Sequence, residues 1–163
     1  MQQSTRCLHS TADKVQRVLN CAAHVILGGS KYDHVTPLIR DDLHWLRVPE
    51  RITFKLCLLV YKALHSLAPV YIKSMCVPVS SSMARSSLRS ASMGHLIVPR
   101  TQLEFGKRAF AFASPTAWNS LPDIIRSAES VNTFKRLLKS FLFSVSYPDL
   151  SFSVTASYTS SLY

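Results

Sequence analysis

The stretch Val48–Pro69, "VPERITFKLCLLVYKALHSLAP", decides the fold. Pro49 suits the first turn of a helix, where its missing N–H leaves no bond unmade, and Pro69 bars a helix from continuing through it. Between them Ile52, Leu56, Leu59, Val60, Ala63 and Leu64 recur at helical spacing, and Phe54, Leu58 and Tyr61 leave little of the circumference polar. A helix apolar nearly all round belongs at the centre of a helical core. Lys55 and Lys62 interrupt the run, which falls short of the ~20 apolar residues that span a bilayer, so no membrane is expected as a partner.

Before this helix, "DDLHW" crowds Asp41, Asp42, His44 and Trp45 together. Two-metal catalysis needs clustered carboxylates. No third acid completes a cluster here, and adjacent residues on one short helix point apart. The stretch is expected to be a helix-to-helix junction, with Leu43, Trp45 and Leu46 as its buried wedge. Thr36–Pro37 is the start signal of the short helix ahead of it, which runs through Leu43. Further back, "STAD" reads as a cap, and a first helix should begin near Ser10 or Thr11. That helix buries Val15, Val18, Leu19, Ala22 and Ile26 and ends at Gly28 and Gly29.

Beyond Pro69, which restarts a short helix carrying Val70, Tyr71 and Ile72, Ser80 to Gly94 contains seven serines in fifteen residues, with Arg85 and Arg89 its only charges. Such a stretch reads as a mobile loop. "HLIVPR" and the alternating "RAFAFA" predict two short strands paired as a hairpin around Gly106. "SPTAWNSLP" reads as a tight linker anchored by Trp118 and Leu121. Ser130 should cap a final helix with Val131, Phe134, Leu137, Leu138, Phe141 and Leu142 on its apolar face and Lys135, Arg136 and Lys139 opposite. The expectation is a mainly α chain with a small β hairpin: a single compact helical domain over 11–143, with disordered ends at 1–10 and 144–163 and a mobile loop at 80–94.

Composition narrows the function. Nineteen Lys and Arg against nine Asp and Glu give the 163-residue chain a net charge of +10, which suits a polyanionic partner such as RNA or DNA. Arg51, Lys55 and Lys62 fall close to one stripe of the central helix, and Arg85, Arg89, Arg100, Lys107 and Arg108 surround the serine loop and hairpin against Glu104 alone. These eight are the candidate phosphate contacts, though a merely solvated basic surface explains them nearly as well. Tyr71, Phe105 and Phe110 are aromatics that can stack on bases or pack in the core. No catalytic residue is assigned. Cys21 and His24 have ligand spacing but no second close pair, so no metal is expected and Cys21 reads as a small core residue. "ILGGSK" departs from the phosphate-loop pattern, and no nucleophile elbow exists. No cofactor is expected. The polar N-terminus lacks an apolar signal run, which predicts an intracellular protein with free thiols.

Five strings, "DHVTPLIR", "LHWL", "FKLCLLVYKALHSLAP", "LIVPR" and "WNSLP", stand in an order and spacing with a specific likeness. From about Lys14 to Phe143 the chain resembles the C-terminal, post-thumb region of the frame encoding reverse transcriptase (an RNA-directed DNA polymerase) in LINE-type non-LTR retrotransposons, of the Jockey-like and chicken-repeat-like kind. In that family an endonuclease and a palm-and-fingers polymerase precede this segment. The chain carries no Tyr/Phe-x-Asp-Asp polymerase motif, so the resemblance implies a non-catalytic fragment rather than an enzyme. Its implied role is an accessory region that holds template RNA or target DNA during target-primed reverse transcription, in the nucleus or cytoplasm. The alternatives are a structural domain that docks on the polymerase without touching nucleic acid, and an element relic with no selected function. Two departures stand out: the family has one residue fewer between "TP" and "LHWL", and its proline is displaced here to Pro49.

Overall fold

The computed structural model describes residues 3–30, 32–82 and 89–148; of 3–10 it describes the backbone alone. The chain is mainly helical. In order come α1 (Gln3–Leu27), α2 (Val35–Pro37), α3 (Val48–Leu64), α4 (Val70–Met75), α5 (Arg89–Ser92), α6 (Phe110–Asn119), α7 (Asp123–Arg126) and α8 (Val131–Ser146). Two compact units result: Ile52–Leu138 is one, and the described residues of 3–51 and 139–148 form the other.

In the first unit, α1 already runs from Gln3, upstream of the expected start at Ser10 or Thr11 and through most of the expected disordered end 1–10. Nothing in Gln3–Ser10 is a proline or glycine that would stop it. Its inner face also differs from expectation. Ala23 is fully buried, whereas Val15, Val18 and Ile26 are exposed. The inward position is taken by a polar side chain, because Gln16 Oε1 accepts the Val48 backbone N–H at 2.9 Å and so caps the start of α3.

Leu38–Asp42 is a π turn. Its wider bonds, such as Leu43 N to Leu38 O at 3.1 Å, accommodate one residue more than an α turn. Leu46 is buried and Leu43 and Trp45 half-buried, so the expected wedge is present, with His44 at φ +49° turning the chain outward. The described structure does not end at Phe143. Leu142 and Tyr147 are both buried, and the Tyr147 hydroxyl donates to Trp45 O at 3.3 Å while its ring meets Phe143 at 4.9 Å. The apolar stripe of α8 simply continues for another turn. The rest of the expected disordered tail, 149–163, lies outside the described residues.

In the unit Ile52–Leu138, the core is an aromatic stack. Tyr61, Trp118 and Phe134 are essentially inaccessible, with Tyr61 and Trp118 lying 4.3 and 5.8 Å from the Phe134 ring. The Tyr61 hydroxyl donates to Ala128 O at 2.8 Å and the Trp118 indole N–H to Gly94 O at 3.1 Å, so neither ring buries an unpaired polar atom. The buried face of α3 is Cys57, Val60, Tyr61 and Ala63, while Ile52, expected inside, is exposed.

The expected hairpin is not formed; no strand occurs among the described residues, only an isolated antiparallel bridge between Pro78 and Leu96. "HLIVPR" contributes that single bridge, and Leu96 is held on its other edge by Asn119, which accepts from its N–H at 2.8 Å and donates to its carbonyl at 2.9 Å. "RAFAFA" leads into α6, and so "SPTAWN" is helical rather than a linker, with "SLP" as the short turn that follows. Alternation of Phe with Ala fits a strand by period, but alanine favours a helix and disfavours a strand. The helix also carries Ser114, Pro115 and Trp118 inward on one side, with Leu121 buried just beyond. Pro115 interrupts its bonding, and the Ser114 and Thr116 hydroxyls bond back to Phe110 O and Phe112 O at 2.7 Å. Ser130 caps α8 as expected, its Oγ accepting from Thr133 N at 3.1 Å. In the expected mobile loop 80–94, residues 83–88 lie outside the described ones, and Arg89–Ser92 is the short helix α5.

Candidate nucleic-acid interface

The charge is unevenly distributed between the two units. Ile52–Leu138 carries eleven Lys and Arg residues against three acids, whereas the remaining chain carries eight against six. Of those three acids, Glu104 pairs with Lys107 at 2.5 Å and Asp123 with Arg126 at 3.5 Å. Arg126 is the buried member of the set: it donates to Leu121 O and serves the fold.

The candidate phosphate contacts fall into groups. Lys55 and Lys62, seven residues apart, share a face of α3, the first exposed and the second half-buried. Arg89 starts α5, and Arg100 follows the bridge segment; both are exposed. Lys55, Lys62, Arg89 and Arg100 have no carboxylate partner among the described residues. Lys107 and Arg108 share the 3-10 turn Gly106–Arg108, and the Arg108 guanidinium lies 5.9 Å from the centre of the Phe105 ring. Arg85 lies outside the described residues. Arg51 belongs to the other unit and is engaged there, its Nε donating to Leu46 O at 2.8 Å and its guanidinium standing 5.3 Å from the Trp45 ring. Lys135 and Arg136, also exposed, add two cations on the part of α8 that belongs to Ile52–Leu138.

The aromatics separate cleanly. Phe110 is half-buried in α6, Tyr71 is 65% exposed on α4, and Phe105 is 76% exposed beside Arg108. Of the three, Phe105 combines an open ring with a cation.

The remaining chemistry is sparse. Asp41 is bound by Arg40 at 2.6 Å, and that neighbouring hydrogen bond holds its carboxyl below the usual range; Asp42 is exposed. Cys21 is exposed, not core, and lines an open cleft of about 900 Å³ with His24, Asp33 and His34. Among the described residues no group of three His, Cys, Asp or Glu side chains is placed to hold a metal ion. A second cavity of about 300 Å³ lies between α1, α2 and the start of α3 and is lined by Gln16, Asn20, Thr36, Arg47 and Tyr147, with Asp13 as its one carboxylate. Burial pushes the Cys57 thiol up to about 12 and also raises Cys76, so both stay protonated and non-nucleophilic at neutral pH. No helix of the described residues is long and apolar enough to cross a membrane.

Ile52–Leu138 is thus a helical unit with an excess of cations and one exposed aromatic, Phe105, beside a cation. No family model matches the chain, nor does any curated protein or solved structure.

Proposed function

We propose that the chain is a non-catalytic, nucleic-acid-binding segment of a retrotransposon reverse transcriptase, an intracellular accessory region that holds RNA or DNA near the polymerase during target-primed synthesis. The observation that carries this reading is the eleven-to-three excess of cations in Ile52–Leu138 with two of the three acids already paired. The resemblance carried by the five motifs quoted above supports the retrotransposon part of this reading. Each phosphate neutralised on binding releases a counterion, so affinity for duplex DNA falls with a log–log salt slope of about −0.9 per contact. A salt titration of the full chain against RNA and DNA tests this. Reversing Lys55, Lys62, Arg89 and Arg100 to Glu should flatten the slope and weaken binding; binding that is insensitive to salt and to these changes would reject the reading.

A second reading is favoured by exposed apolar side chains: Val15, Val18, Val25 and Ile26 on α1, and separately Leu67, Val70 and Tyr71 around α4. Surfaces of this kind mark docking sites. On this reading the segment packs on the polymerase of the parent element without a nucleic-acid role. Co-purification with that polymerase domain, lost on Val18→Asp or Val25→Asp, would support it.

A further inference from the structure

Phe105 leaves 76% of its surface in water, yet its position is not loose. The turn beneath it is closed by four hydrogen bonds: Thr101 Oγ1 to Leu103 O at 3.2 Å, Gly106 N to Leu103 O at 3.0 Å, Arg108 N to Phe105 O at 3.1 Å and Ala109 N to Gly106 O at 3.1 Å. Gly106 lets Thr101 approach closely, because a Cβ there would collide with Thr101 Oγ1 and have to displace it from its bond to Leu103 O. Lys107 and Glu104 pair across the same turn at 2.5 Å. A large apolar ring is therefore held outward by a braced turn, with the Arg108 guanidinium 5.9 Å from its centre and exposed Arg100 at the start of the segment.

Base faces are available for stacking only where strands are unpaired, because in a duplex they are covered by neighbouring bases. We propose that Phe105 is a stacking platform for an unpaired nucleobase, with Arg108 and Arg100 supplying cations for the flanking phosphates, so that the protein takes single-stranded nucleic acid in preference to duplex. This rests on the nucleic-acid reading above. Arg108 beside the ring adds a cation–π component and keeps positive charge next to the bound base.

The test uses the full chain with three labelled probes of one mixed sequence: single-stranded RNA, single-stranded DNA and duplex DNA, each titrated over salt by fluorescence anisotropy. Wild type should bind one or both single strands more tightly than the duplex. Phe105→Ala should weaken single-strand binding roughly 5- to 100-fold, as losing one stacked base does. Its duplex affinity and salt slope should stay unchanged, and Phe105→Trp should restore the single-strand affinity. Because the side chain is exposed, the far-ultraviolet circular dichroism of Phe105→Ala should match wild type. Equal loss on all three probes, or single-strand binding of Phe105→Ala within twofold of wild type, would overturn the platform while leaving the basic-surface reading standing. Absence of binding to every probe at low salt would remove both.

Discussion

Cys57 shows how a single buried atom links environment to stability. Its thiol is enclosed by the core of Ile52–Leu138, and burial alone raises it from 9.0 to about 12. An exposed thiol in the unfolded chain ionises near 9.0, so the stability associated with protonated Cys57 is fully present below that pH and is lost as pH climbs toward 12. Urea unfolding across this window should show a steeper alkaline decline in wild type than in Cys57→Ala. Trp118 is the other residue on which the core depends. Trp118→Ala removes a ring packed on Phe134 and leaves Gly94 O without its donor, which should cost about 3–5 kcal/mol by chemical denaturation. Trp118 was legible as an anchor because a tryptophan beside a leucine in a polar run has few other uses. Gln16 was not legible, since a glutamine within an amphipathic pattern gives no sign that its carbonyl will cap a helix more than thirty residues away.

Helices whose hydrophobic period and end signals agree, α3 and α8, could be read from the sequence. The Ser130 cap illustrates this, and Ser130→Ala should cost about 1 kcal/mol, seen as a shift of the urea midpoint without a change in slope. The segment that opens α6 could not be read, because "RAFAFA" satisfies a two-residue period and a helix alike, and only the burial of Ser114 and Trp118 decides between them. The π turn Leu38–Asp42 holds one residue more than an α turn would, and its widened bonding is the local means of doing so. Deleting Asp42 should let the turn relax to ordinary α geometry, with the thermal midpoint equal to or above that of wild type. A large fall would mean that the extra residue sets the exit of the chain at His44.

At the scale of the molecule, the even-looking composition conceals an asymmetry of eleven cations to three acids in one unit and eight to six in the other. Net charge was plain from the sequence, but its partition depended on which segments pack together. The same partition explains why the eight candidate contacts are unequal: Arg51 is engaged by Leu46 and Trp45, while Lys55, Lys62, Arg89 and Arg100 retain no carboxylate neighbour among the described residues. Arg51→Gln should therefore change nucleic-acid affinity less than Lys55→Gln in the same titration, and the reverse order would shift the binding surface to the other unit.

The small motif at Leu96 has a consequence for solubility. Apolar extended segments such as "HLIV" ordinarily invite another chain to add alongside them, through the row of unpaired amides on a free edge. Here Val77 and Val79 occupy one side through their bonds to Ile97 and His95, and the Asn119 amide occupies both groups of Leu96 on the other. A single side chain thereby plays the part of a neighbouring strand, and the segment offers no open template at Leu96. Asn119→Leu, similar in size but unable to bond, should leave that edge available and appear as concentration-dependent light scattering well before the helices melt.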